Sequence, residues 1–131
     1  IQLTVVSFGF KYGVPADADL VFDVRFLPNP FYVDSLRDLT GNDEEVNEYV
    51  MRWPVTKRFL DKLVDLLRFL LPEYEREGKF NLVVGIGCTG GRHRSVVIAN
   101  QLSRPLRELG YRTHTMHRDI DIGSGDQPAS K

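Results

Sequence analysis

Short apolar blocks separated by polar turns predict strands and helices in alternation along this chain. Four blocks rich in β-branched and apolar residues predict strands at Ile1–Phe8, Leu20–Val24, Leu82–Ile86 and Tyr111–Met116. Apolar residues recur at helical spacing after Pro54 and again from His93 to Leu109, and Asp43 is placed to cap a shorter helix that runs to Arg52. This order predicts an α/β fold, with a single-layer, mostly parallel sheet of about four strands flanked by helices.

Two prolines interrupt the helical patterns. Pro72 is expected to end or kink the helix that starts at Pro54, with Gly78 closing the acidic turn beyond it. Pro105 lies inside the last predicted helix and is expected to kink or break it.

The stretch LVVGIGCTGGRHRS, from Leu82 to Ser95, runs from a buried strand through a glycine-rich turn into a helix. Backbone N–H groups of such a turn, with those of the first helical turn, form a cradle for an anion. Arginine adds a planar donor fork that matches phosphate oxygens. We therefore predict a phosphate loop after the third strand, with ligand-binding residues Cys88, Thr89, Gly90, Gly91, Arg92, His93, Arg94 and Ser95.

Two nucleotide-binding loops fit this stretch poorly. A P-loop requires a Gly followed by four residues and then by Gly-Lys. Here Gly91-Arg92 stands where Gly-Lys would be. A dinucleotide-binding G-x-G-x-x-G is matched by Gly85, Gly87 and Gly90, but no acidic residue follows at the end of a second strand about 20 residues on. ATP binding by this loop is therefore not predicted.

The spacing of Cys88, Arg94 and Ser95 spells C-x5-R-S, the phosphate loop of cysteine-dependent phosphatases. A thiol at a helix N-terminus beside cations is the setting of an activated nucleophile. Against this alternative, Gly87 stands where those phosphatases typically place His, and the sequence places no general-acid Asp. The other interpretation is a small buried Cys88 at the end of a strand.

Further candidates for the ligand pocket follow the first two strands. Ligands of open parallel sheets gather at the carboxyl ends of the strands, where Lys11, Asp23 and Arg25 are expected to lie. Asn29 stands between two prolines, which hold it in an extended conformation. Structural alternatives remain: a solvated Lys11, and an Asp23–Arg25 ion pair that braces the loop.

Composition fits one ordinary globular domain of 131 residues, 42% of them hydrophobic and 27% charged. No membrane span or secretory signal is readable, and the single cysteine excludes an internal disulfide and fits the cytoplasm. The absent initiator Met and the strand that starts at Ile1 suggest an excised domain. We expect the domain to cover residues 1–118, and residues 119–131 to form a disordered tail.

Positive charge is concentrated late in the chain, although the net charge is −1. Residues 92–118 hold six Arg and three His against one acid, Glu108. Four of these arginines are candidates for RNA binding, and the alternative is that they form a solvated face. They are Arg104, Arg107, Arg112 and Arg118. His114 and His117 are expected on opposite faces of a strand, so no metal site is predicted.

Three separated motifs closely resemble the C-terminal domain of the RapZ family of bacterial nucleotide-binding adapter proteins. They are SFGFKYG (Ser7–Gly13), DVRFLPNP (Asp23–Pro30) and GCTGGRHRS (Gly87–Ser95), and the resemblance extends from Ile1 to about Arg118. It implies a non-catalytic regulatory domain that binds an amino-sugar phosphate and RNA, in a cytoplasmic homo-oligomer. Members of the best-known branch have His at the position of Phe31 and a basic C-terminal run; this chain has neither.

The resemblance also implies partners and a missing domain. Full-length members carry an N-terminal P-loop NTPase domain, where ATP or GTP would bind, so no cofactor is expected in this domain. The best-known branch delivers a small regulatory RNA to an endoribonuclease. The resemblance therefore implies a small RNA and a ribonuclease as candidate partners.

Overall fold

The computed structural model describes residues 1–122. Its strands are β1 (Gln2–Gly9), β2 (Leu20–Asp23), β3 (Asn81–Cys88) and β4 (Arg112–His117). Its α-helices are α1 (Glu44–Met51), α2 (Pro54–Glu77) and α3 (Arg94–Glu108).

The strands form one parallel sheet in the order β2-β3-β1-β4, so the predicted α/β fold is confirmed. β1 and β3 are central, and their last residues, Gly9 and Cys88, are paired. Since all strands run the same way, their carboxyl ends meet at one edge of the sheet. The loops that follow β1, β2 and β3 therefore meet at that edge.

The hydrophobic core lies between the sheet and the three helices. Leu3 and Val84 of the central strands are buried there with Leu67 of α2 and Leu102 of α3. Burial of a leucine side chain contributes about 1.5–3 kcal/mol. This packing fixes the start of α3 relative to the end of β3.

The prolines end neither helix. α2 continues through Pro72 to Glu77, where Gly78 provides a left-handed cap with φ 99°, and α3 continues through Pro105 to Glu108. Each proline removes one intrahelical hydrogen bond near a helix end. The neighbouring Leu71 and Leu106 are fully buried, and their packing keeps the last turn in place.

The ordered domain extends past residue 118. Asp119 is 1% exposed, and its carboxylate accepts hydrogen bonds from the Gly9 amide at 2.8 Å and from the Arg118 guanidinium at 2.8–2.9 Å. Asp119 thus packs against the end of β1, whereas residues 123–131 of the predicted tail lie outside the described residues. No helix within residues 1–122 is long and apolar enough to cross a membrane.

Candidate anion-binding site

The glycine-rich loop between β3 and α3 is pressed against the end of β1. A Cβ atom on Gly9 would lie 2.5 Å from the carbonyl carbon of Gly90. One on Gly91, whose φ is +80°, would lie 2.7 Å from the Gly9 nitrogen. Only glycine permits this backbone-to-backbone approach, and the left-handed φ of Gly91 also favours glycine. The approach fixes the path of the loop into α3.

Seven consecutive backbone amides in this loop have no hydrogen-bond acceptor among residues 1–122. None of the N–H groups from Gly90 to Val96 donates a hydrogen bond to another atom of residues 1–122, and the first that does is that of Val97, to the His93 carbonyl at 3.0 Å. His93 is the N-cap of α3 and provides no side-chain cap. Unpaired amides at a helix N-terminus carry partial positive charge, so this arrangement favours an anion.

Arg94, the first residue of α3, adds a buried cation beside these amides. The residue is 5% exposed, and its Nη1 donates to the carbonyls of Arg25 at 2.6 Å and Leu27 at 3.1 Å. Its Nε is buried without an acceptor, and no carboxylate of residues 1–122 forms an ion pair with it. Burial lowers the pKa of Arg94, which reflects the cost of holding the charge there. An anion at Nε would offset that cost.

The guanidinium of Arg94 lies over the start of the loop. Its Nη2 is 3.5 Å from the Thr89 hydroxyl, a long contact that leaves the donor available to a better acceptor. Cys88 is 3% exposed, and its thiol donates to the Ser95 hydroxyl at 3.1 Å. The structure thus brings the Cys, Arg and Ser of the C-x5-R-S pattern together around one loop.

Arg92 and His93, by contrast, hold another segment of the protein in place. The guanidinium of Arg92 donates to the Ile120 carbonyl at 3.0 Å and to a carbonyl of residues 37–39 at 3.1 Å. The Nε2 atom of His93 lies 2.8 and 3.1 Å from two other carbonyls of residues 37–39. Burial lowers the pKa of His93, which favours a neutral ring that donates from Nε2. Both side chains therefore tie the glycine-rich loop to these two segments.

Asp23 and Arg25 form a bidentate ion pair at the end of β2. The Nε and Nη2 atoms of Arg25 lie 2.7–3.1 Å from the Asp23 carboxylate, and both side chains are about half exposed. Hydrogen bonds from Arg25 lower the pKa of Asp23, so the carboxylate stays ionised. The guanidinium of Arg25 also covers the Phe10 ring at 4.1 Å. The predicted bracing pair is present, and its exposure leaves the carboxylate accessible to a ligand.

Asn29 and Lys11 lie on the two neighbouring loops. The Asn29 side chain accepts a hydrogen bond from the Phe31 amide at 3.1 Å and so caps the 3₁₀ turn Pro30–Tyr32. The Lys11 amide donates to the Thr89 carbonyl at 3.1 Å, which ties the loop after β1 to the glycine-rich loop. The structure brings all the predicted pocket segments to the carboxyl edge of the sheet.

Comparison with known proteins matches residues 1–121 to the family described as the RapZ C-terminal domain. The chain belongs to that family. Proteins named nucleotide-binding protein are similar to it: 63% identical over 119 residues in Bacillus pumilus, 60% over 119 in Caldicellulosiruptor bescii and 61% over 125 in Heliobacterium modesticaldum. These alignments cover 91–95% of this chain and 40–42% of the relatives, so the chain spans about two fifths of their length.

The arginines proposed for RNA are divided in this RapZ C-terminal domain: Arg104 and Arg107 line one hollow beside α3, whereas Arg118 lies elsewhere. Arg118 lies at the loop edge of the sheet, where it binds Asp119 and the Gly13 carbonyl. Arg112 starts β4 at the opposite edge, and Arg107 there donates to the Thr115 hydroxyl at 2.9 Å. Because α3 is about 21 Å long, Arg107 and Arg112 lie far from the glycine-rich loop. RNA binding stays a prediction.

Sequence reasoning missed two residues that shape the RapZ-family loop. Asp119 was assigned to a disordered tail, yet it holds the end of β1 through the Gly9 amide. Gly9 was not among the predicted site residues, although its lack of a side chain admits the glycine-rich loop. Its place between two phenylalanines in SFGF, at the end of an apolar strand, was the available signal.

Proposed function

We propose that this domain is a regulatory module that binds a phosphorylated small molecule at the loop between β3 and α3. The observation that carries the proposal is a buried cation, Arg94, with an unpaired Nε beside seven amides that have no acceptor among the described residues. The phosphate would take the amides of Gly90–Val96 and the Nε and Nη2 donors of Arg94. Asp23, Arg25, Asn29 and Lys11 would line the rest of the pocket.

The loop and Arg94 offer enough hydrogen-bond donors to bind a phosphate with micromolar affinity. Hydrogen bonds to a charged group contribute about 1.5–3 kcal/mol each. Several of them, reduced by the cost of association, support a dissociation constant of about a micromolar. Because the donors are fixed by the packing of Gly9 and Gly91, little ordering is needed on binding.

Calorimetry with glucosamine 6-phosphate tests this proposal, since the family resemblance suggests a hexosamine phosphate. We expect binding of one molecule per chain, and no measurable heat with glucosamine, which lacks the phosphate. Absence of heat with glucosamine 6-phosphate, or equal binding of both compounds, would refute the proposal. Nucleotide binding, which the relatives' names state, is assigned here to the part of those proteins that this chain does not cover.

A cysteine-dependent phosphatase is the second candidate, favoured by the 3.1 Å contact between Cys88 and Ser95. We expect no turnover, because Asp23 and Asp119, two carboxylates at this edge of the sheet, are both held by arginines and neither is a free general acid. Hydrolysis of p-nitrophenyl phosphate measures this. Turnover by the wild type that is lost in Cys88→Ser would establish the enzyme instead.

A further inference from the structure

A stripe of side chains runs along a solvent-exposed face of α2. Its members are Arg58, Lys62, Leu66, Phe69, Glu73 and Glu77, and all six are exposed. They follow one another at intervals of three or four residues, the spacing that keeps side chains on one face of a helix. Leu66 and Phe69, at the middle of the stripe, are 42% and 64% exposed. Two large apolar side chains thus lie side by side in solvent, as they would on a contact surface.

The apolar middle of the stripe continues into a neighbouring loop. Phe59 lies on the same face of α2, two helical turns before Leu66, and the ring of Phe26 packs edge-on against it with centroids 5.3 Å apart. Phe26 belongs to the loop after β2 and is itself 56% exposed. The apolar surface therefore extends beyond a single helix, and nothing within residues 1–122 covers it.

The charges of the stripe change sign at its middle. The two members before Leu66 are cations, and the two members after Phe69 are acids. Among these four charged residues only Glu73 has an ion-pair partner within residues 1–122, the exposed Arg76. An exposed pair of this kind contributes little to stability, so Glu73 can exchange its partner. The two halves of the stripe attract each other but cannot meet within one straight helix.

We propose that this stripe is a self-association surface, on which α2 of a second copy of the chain packs antiparallel. With a twofold axis at the middle of the stripe, each apolar member faces the other one of the partner. Lys62 then faces the partner's Glu73, and Arg58 faces the partner's Glu77. A parallel arrangement would instead place every member opposite itself, with cation against cation, so the order of the charges selects the antiparallel one. The proposal does not depend on the anion-binding site.

The size of the stripe indicates a weak dimer. From residue 58 to residue 77 it is about 28 Å long, and at a width of about 10 Å it buries about 300 Å² on each copy. Stable complexes bury about 800 Å² on each partner. We therefore expect a dissociation constant of about 100 μM, which sedimentation equilibrium measures between about 10 μM and 1 mM of the chain.

Two charge reversals test the pairing. Lys62→Glu and Glu73→Lys each place like charges opposite one another at two symmetric points, so either variant alone should associate at least about tenfold more weakly than the wild type. An equimolar mixture of the two should regain the wild-type affinity, because each reversed charge meets its opposite on the other variant. Lys57→Glu, which reverses an exposed cation of α2 outside the stripe, is the matched control and should associate like the wild type.

A third variant tests the apolar middle without changing a charge. Phe69→Ala should weaken association by about tenfold, since the central ring is lost. Circular dichroism checks that every variant is folded, as expected for substitutions at exposed positions. A wild type that stays monomeric at about 1 mM, charge reversals that behave like Lys57→Glu, or a mixture of folded variants that stays monomeric would overturn the proposal.

Discussion

Arg94→Met is expected to weaken the binding of glucosamine 6-phosphate by about a hundredfold or more, because two charge-assisted hydrogen bonds are lost. Methionine fills the volume of the arginine stem but supplies neither charge nor donor. The variant also removes a buried cation that no carboxylate of residues 1–122 pairs with. Its folding should therefore suffer little, although the carbonyls of Arg25 and Leu27 each lose a donor.

Two further variants separate geometry from net charge. Arg68→Met removes an exposed cation of α2 and changes the net charge equally, so its affinity should match the wild type. Arg94→Lys keeps the charge but replaces the fork with one ammonium group, so an intermediate loss is expected. Calorimetry measures all three, and near-ultraviolet circular dichroism checks that each is folded. Wild-type affinity in a folded Arg94→Met would contradict the site.

Gly9→Ala is expected to lower the free energy of unfolding by about 3 kcal/mol, because its Cβ would lie 2.5 Å from the Gly90 carbonyl carbon. Neither backbone can move aside easily: Gly90 is held by the turn into α3, and the Gly9 amide is bonded to Asp119. Displacing the loop should also misplace its amides and weaken ligand binding.

Gly78→Ala is the matched control for this effect. Gly78 has a left-handed φ of 99° and open space around its Cβ position, so alanine there meets conformational strain of about 1–2 kcal/mol and no clash. Urea denaturation compares the two variants through the transition midpoint at constant m value. A cost for Gly9→Ala no larger than that of Gly78→Ala would show that the loop does not depend on this close approach.

The hydrophobic pattern was sufficient to predict the order of strands and helices and the position of the glycine-rich loop. The spacing of apolar residues predicts which side chains are buried, and the buried ones, such as Leu67 and Leu102, form the core that holds the elements together. Pro72 and Pro105 do not end their helices, because packing of the adjacent leucines outweighs the one hydrogen bond that each proline removes.

Side-chain roles within the loop were harder to predict than its position. Arg92, His93 and Arg94 are equivalent candidates in the sequence, yet the first two bind carbonyls of distant segments and only Arg94 keeps a buried, unpaired donor. Because every residue has a backbone carbonyl, the sequence does not indicate which residues accept these hydrogen bonds. The hydrogen bond from the Gly9 amide to the Asp119 carboxylate joins residues that are 110 apart in the sequence, so it likewise could not be predicted from the sequence.

The most direct test of an anion in this loop is a ¹H–¹⁵N correlation spectrum recorded while inorganic phosphate is added. A chain of 131 residues is well suited to it. We expect saturable shifts concentrated in the amides of Gly90–Val96 and in the Nε–H of Arg94. Resonances that stay unmoved there at saturating phosphate, or shifts confined to other surfaces, would contradict the site.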